Sequence, residues 1–157
     1  MDAKDWIEAV KILLAAAGAG FALYQYRLST RLKKAEWIES LHAKFFESAN
    51  YKRIRGILDH EKSADYADLK AAVLNTTDTA EQILLTELLV DYLNFFEFIA
   101  SLPGLVQLDD REIALLFDYY IRLLKRHDFV MRFIRTEGFE KLASVLDRWP
   151  ANAGGSR

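Results

Sequence analysis

Between Ile12 and Tyr26 the chain carries no charged residue, and reaching back to Trp6 gives 21 residues interrupted only by Glu8 and Lys11. A helix apolar around most of its circumference is stable only inside a protein core or a bilayer. At about 1.5 Å of rise per residue, the uncharged run covers about 22 Å and the longer segment about 31 Å, against a hydrocarbon core of about 30 Å. Crossing therefore requires Lys11 to snorkel outward and Glu8 to lie in the interface. Trp6, Tyr24 and Tyr26 stand near the two ends, where aromatic belts form. Arg27, Arg31, Lys33 and Lys34 outnumber Lys4 and Lys11, so the positive-inside bias puts the C-terminal side in the cytoplasm. The expectation is a single-pass protein of the inner (plasma) membrane, with membrane lipid as a partner. Two other readings stand beside it. A cleaved signal peptide fits the small residues but not the leading Asp2, Asp5 and Glu8. A soluble core helix fits the many Ala and Gly residues that dilute the hydrophobicity.

Inside the run, Ala15, Ala16, Ala17, Gly18, Ala19, Gly20 and Ala22 are all small. Pairs such as Ala16/Gly20 and Gly18/Ala22 let helix backbones approach closely in lipid, which predicts a homo-oligomer; small residues are also common in membrane helices without one.

With 157 residues the chain has room for one domain, or for an anchor and one compact domain; the second is expected, with 1–34 as anchor and basic juxtamembrane segment, 35–149 as a cytoplasmic helical domain and 150–157 as a disordered tail. The few Gly and Pro, and apolar periodicity near 3.6, predict an all-α fold: the membrane helix continues into a stalk, followed by a compact helical bundle. Leu28, Leu32, Ala35, Ile38, Leu41, Phe45 and Ala49 carry the stalk to about Ser48. Further helices are expected at 51–60, 65–74 and 79–102, the last opened by a capping box of Asp78 and Glu81 and closed by Pro103-Gly104. Asp109 with Glu112 suggests a second capping box, opening a helix that bends at His127-Asp128 and runs on to Arg135. A last short helix spans 139–149.

No cysteine is present, which excludes a disulfide framework and thiolate metal sites. The formal charge of −2 gives no reason to expect binding to duplex DNA or RNA. That total conceals segregation: −1 over residues 1–26, +5 over 27–55, −10 over 56–121 and +4 over 122–157. The acidic middle is expected to pair with its basic flanks or to face water.

The stretch from Glu87 to Ala100 (ELLVDYLNFFEFIA), followed by Gly104, Leu108-Asp109, Glu112 and Tyr119-Tyr120-Ile121, resembles a family of bacterial proteins known only as a domain of unknown function. That resemblance extends to the N-terminal membrane helix, a stalk containing a Trp, and a terminal Phe-x-x-Leu-Ala segment, here Phe139 to Ala143. It implies the same architecture and transfers no catalytic residue or cofactor.

Among candidate sites, Arg122, Lys125, Arg126, Arg132 and Arg135 lie on the helix expected through Arg135, and Lys52, Arg53 and Arg55 form a second basic group. Arg forks suit phosphate oxygens, and Tyr119 and Tyr120 offer stacking faces, so a nucleotide or other phosphorylated small ligand is one expectation. Pairing with acidic side chains or lipid headgroups is the plainer one. Glu87, Asp91, Asn94 and Glu97 form a polar stripe on an otherwise apolar helix, either a polar site in the core or a solvated edge. Glu39 and His42 have the Glu-x-x-His spacing of di-metal bundles, but no second copy occurs, so no metal is expected. The functional expectation is a self-associating membrane-anchored scaffold or sensor without catalysis; the alternative is a ligand-gated membrane effector, with antiviral defence as its setting, whose cytoplasmic domain binds a nucleotide second messenger.

Overall fold

The computed structural model of the chain describes residues 3–74, 79–104 and 110–149. The polar stop at 75–78, Asp109 of the second expected capping box and the 150–157 tail lie outside the described residues. Among those described, seven α-helices follow one another with no strand: α1 (Ala3–Glu47), α2 (Ala49–Asp59), α3 (Ala64–Val73), α4 (Ala80–Ser101), α5 (Asp110–Arg126), α6 (Asp128–Thr136) and α7 (Glu140–Arg148). A short 3-10 turn, Leu102–Gly104, ends α4 where Pro103 removes a backbone donor. The chain divides into two compact units, residues 1–44 and 45–157.

The first unit is α1 up to Lys44. It is the one described helix long and apolar enough to cross a membrane, with a mean hydropathy of 1.6 over its best 18 residues.

The second unit is a bundle around α4, which packs against α2, α3 and α7, while α6 packs against α5, α7 and α3. Local chemistry sets the boundaries. Ser48 and Ser63 take extended backbone, and their hydroxyls accept the amides of Tyr51 at 3.4 Å and Tyr66 at 3.1 Å, so α2 and α3 begin there. The box opening α4 is shifted by one residue from the expected one. Thr79 accepts the Gln82 amide at 3.3 Å while the Gln82 side chain accepts the Thr79 amide at 3.2 Å. At the end of α6, Gly138 takes φ of +86°, and the Phe139 amide reaches back to the Ile134 carbonyl at 3.3 Å. That left-handed residue after the helix is where glycine avoids a steric penalty.

One expected element is corrected. The helix continuing through Arg135 is two helices, because His127 is extended, with φ of −103° and ψ of 102°, and separates α5 from α6. Its side chain is buried and accepts or donates through Nδ1 to the Tyr66 hydroxyl at 3.0 Å. The break thus brings a polar ring into the interior and ties the α5–α6 junction to α3.

The core of the bundle is aromatic. Phe45 is wholly enclosed, with Phe95 stacked at 5.1 Å and Tyr120 and Phe117 edge-on at 4.8 and 5.2 Å. Each such pair adds about 0.5–1.5 kcal/mol beyond the burial itself. Arg55 completes the cluster: its guanidinium carbon lies 4.5 Å from the Phe45 ring centre, and Nη1 donates to the Phe45 carbonyl at 2.5 Å. Carbonyls in the last turn of a helix lack intrahelical partners, so this buried cation satisfies one near the end of α1.

Candidate functional site

The apolar face of the first unit has no cover within its own fold. None of the most apolar window is buried, and Ile12, Leu13 and Phe21 are 64–70% exposed. Directly after it, Arg27, Arg31 and Lys33 are exposed and Lys34 is half-buried. The Thr30 hydroxyl donates to the Tyr26 carbonyl at 2.9 Å, which keeps this polar side chain satisfied by the helix itself. A Cβ built on Gly18 or Gly20 would meet nothing within 4 Å. Close packing inside this chain therefore does not account for those glycines, nor for the exposed Ala16 and Ala22 one turn away.

The basic residues expected on one helix stand on two, α5 and α6, separated by the extended His127. Several are engaged within the bundle. Arg122 pairs with Asp118, Arg135 pairs with Asp147 at 2.9 Å, and Lys125 Nζ donates to the Trp149 carbonyl at 2.7 Å at the end of α7. Tyr119 donates its hydroxyl to Asp59 at 2.5 Å, which raises the pKa of the phenol, with desolvation adding to the rise. Arg126 is exposed beside Tyr119 and His127. Arg132, like Arg126, makes no side-chain ion pair or hydrogen bond among the described residues, and of these two it is Arg132 that lines a cavity.

Arg132 lines an open cavity of about 600 Å³ between α3, α4 and α6. The walls are Ala72, Val73 and Leu74 from the end of α3, Val90 from α4, and Phe129 and Phe133 from α6, with Thr86, Thr136 and Glu137 supplying the remaining polar atoms. Phe129, Arg132, Phe133 and Thr136 share one face of α6, a spacing visible in the sequence. The α3 and α4 walls come from residues some 40 to 60 positions away, and no local pattern announces that they meet there.

The other sequence candidates resolve differently. Glu87, Asp91 and Asn94 are exposed, but Glu97 turns its carboxylate to α7, accepting the Lys141 amide at 3.0 Å and the Leu142 amide at 2.7 Å. A carboxylate on the free amides of a helix N-terminus contributes about 0.3–1 kcal/mol or more, so Glu97 docks α7 rather than serving as a polar core site. Glu39 and His42 are exposed, and no group of three metal-ligating side chains occurs among the described residues. Arg55, counted in the second basic group, is buried and committed to Phe45, leaving Lys52 and Arg53 exposed, with Arg53 4.0 Å from Glu81.

His127 is the polar node that the sequence reading missed. It is 2% exposed, Nε2 has no partner in good hydrogen-bond geometry among the described residues, and Glu61 lies 4.0 Å from Nδ1. Burial lowers its pKa from 6.5; Glu61, Asp59 and the Leu58 backbone oppose that, and Arg126 reinforces it. The ring is therefore neutral at pH 7. Its one local sign is a histidine between two runs of helical periodicity.

Comparison with protein-family models, with curated proteins and with solved structures finds no match to this chain.

Proposed function

We propose that this protein is a membrane-anchored helical scaffold or sensor without catalytic activity, in which α1 crosses the inner (plasma) membrane once and the bundle lies in the cytoplasm. The observation that carries this reading is the complete exposure of the apolar window of α1. Burying that surface in hydrocarbon removes it from water at about 25 cal/mol per Å², and nothing in the bundle's own core depends on it. The exposed Arg27, Arg31 and Lys33 support the orientation, since cations just past a span are held on the cytoplasmic side by anionic lipid. Gly18 and Gly20, free of any intrachain neighbour, support self-association through the span. The resemblance to bacterial membrane-anchored helical proteins belongs to the same proposal.

The test is fractionation of the full chain with a fluorescent protein or alkaline phosphatase fused to its C-terminus. Expected are sedimentation with membranes through alkaline carbonate, release by detergent, bright fluorescence and no phosphatase activity. Extraction by carbonate alone would discard the anchor, and phosphatase activity would reverse the orientation. If Gly18→Leu together with Gly20→Leu leaves the oligomeric state in detergent unchanged, the span does not assemble the protein. An effector gated by a nucleotide has weaker support, because Arg122, Lys125 and Arg135 already have partners in the bundle.

A further inference from the structure

We propose that the cavity beside Arg132 is a binding site for a small amphipathic monoanion, a molecule with an apolar body and one carboxylate-like end. Its volume of about 600 Å³ falls within the range of small-molecule sites, about 300–1,000 Å³. The lining assigns each part of such a ligand. Leu74, Val90, Phe129 and Phe133 offer an apolar floor with no hydrogen-bonding side-chain atom. The Thr86 hydroxyl hydrogen is used on the Gln82 carbonyl at 3.0 Å, and that of Thr136 on the Arg132 and Phe133 carbonyls at 3.2 Å each. The spare side-chain donors among the described lining residues are therefore those of Arg132, whose planar fork matches a carboxylate in two parallel hydrogen bonds.

Charge count narrows the ligand further. Arg132 can pair one carboxylate directly, while Glu137 in the same lining opposes any anion, so each further negative charge on the ligand would meet repulsion with no second cation among the described lining residues to offset it. A triphosphate is a poor fit on both grounds. Arg132 is itself exposed, so the charged end would sit toward water while the body enters between α3, α4 and α6. This inference concerns the bundle alone and does not depend on how α1 is accommodated. Both linear acyl and aryl bodies carry the required chemistry, and the probes separate them.

The experiment is isothermal titration of the full chain, held in amphipol, with octanoate, 4-phenylbutyrate, 4-phenylbutanol and ATP. Variants are Arg132→Gln, Arg126→Gln as an exposed control, and Val90→Trp to fill the cavity. At least one carboxylate should bind saturably in the millimolar range or tighter, the alcohol and the Arg132→Gln variant about tenfold more weakly, as loss of one charge-assisted pair implies. Val90→Trp should abolish binding with circular dichroism unchanged, and Arg126→Gln should bind as the parent does. Preference for octanoate identifies an acyl body, and for 4-phenylbutyrate an aryl one. Absence of saturable binding by either carboxylate, equal binding of acid and alcohol, insensitivity to Arg132→Gln, or tighter binding of ATP each overturns the proposal. Should Val90→Trp lose its helical signal, Arg132→Gln, a surface substitution, still decides.

Discussion

Helix α4 and the N-terminal half of α1 are both apolar around most of their circumference, yet Leu89, Leu93 and Phe96 are at most 1% exposed while Ile12, Leu13 and Phe21 are 64–70% exposed. The difference lies in where each helix places its charge. In α4, Glu87, Asp91, Asn94 and Glu97 run as a stripe through the middle and second half of the helix, so one edge is polar while Leu85, Leu88, Leu89, Tyr92, Leu93, Phe95, Phe96 and Ile99 are buried in a helix that packs against α2, α3 and α7. In α1 the charges stand at the ends, at Glu8 and Lys11 and then from Arg27 onward, with none between. A lengthwise stripe suits a helix at the centre of a small bundle; charge confined to the ends suits a slab of hydrocarbon.

The largest test of that contrast places one acid in each helix. Leu89→Asp buries a carboxylate with no partner, and the bundle should lose its cooperative melting transition, a cost above about 4 kcal/mol. Leu14→Asp, at a position 68% exposed, should leave the melting temperature of the bundle unchanged. It should instead reduce the carbonate-resistant membrane fraction, since an acid at the middle of a span costs about 2.5–3.5 kcal/mol on insertion. A melting temperature lowered comparably by both would mean that α1 is a core helix after all, and the contrast with α4 would disappear.

A smaller effect tests how the bundle closes at Phe45. Arg55→Met keeps the length of the side chain but removes the donor to the Phe45 carbonyl and the cation beside its ring. The expected loss is about 2–3 kcal/mol, read as a lower denaturant midpoint with the slope unchanged. Arg53→Met, whose parent side chain is exposed and 4.0 Å from Glu81, should change stability by less than about 0.5 kcal/mol. Equal effects would place Arg55 with the solvated cations instead of the core.

The two arginines also mark the limit of what the sequence discloses. Helix positions are legible because period and caps are local: Ser48 and Ser63 begin helices as serine should, and the stalk ends one residue before Ser48. The start of α4 misses by one because Asp78 and Thr79 are both good caps, and Gln82 serves as well as Glu81. Arg55 reads as part of a basic cluster because three cations fall within four residues; that one of them turns inward depends on Phe45 and Tyr120, which meet it only in the folded bundle. Glu97 is the same case over a longer distance, capping amides 44 and 45 residues away. The candidate cations of α5 and α6 were visible as residue types, but their division into engaged and unengaged groups rests on the break at His127 and on Asp118, Asp147 and the Trp149 carbonyl as partners.

That break supplies the smallest prediction, and it again sets the bundle against α1. His127 is held neutral by burial, so its folded pKa lies below the unfolded value of about 6.5. The unfolded chain then binds more protons than the folded one between those two values, so stability rises with pH through that interval and levels off above it. Nδ1 shares a hydrogen bond with the Tyr66 hydroxyl, whose own pKa is raised by burial and by Glu61 and Asp128, so the phenol keeps its proton throughout. Protonation makes Nδ1 a donor, so the Tyr66 hydroxyl must turn to accept from it; Glu61 at 4.0 Å favours the added charge, while burial and Arg126 oppose it. Denaturant midpoints of the full chain in detergent should therefore fall as pH is lowered from about 7 toward 5, whereas self-association through the uncharged run of α1, as proposed, should not depend on pH over that range. His127→Gln should be less stable at pH 7 and flatter over the same range. A parent whose midpoint stays constant across it, or a variant with the same slope, would show that the buried ring at the α5–α6 junction is not what titrates.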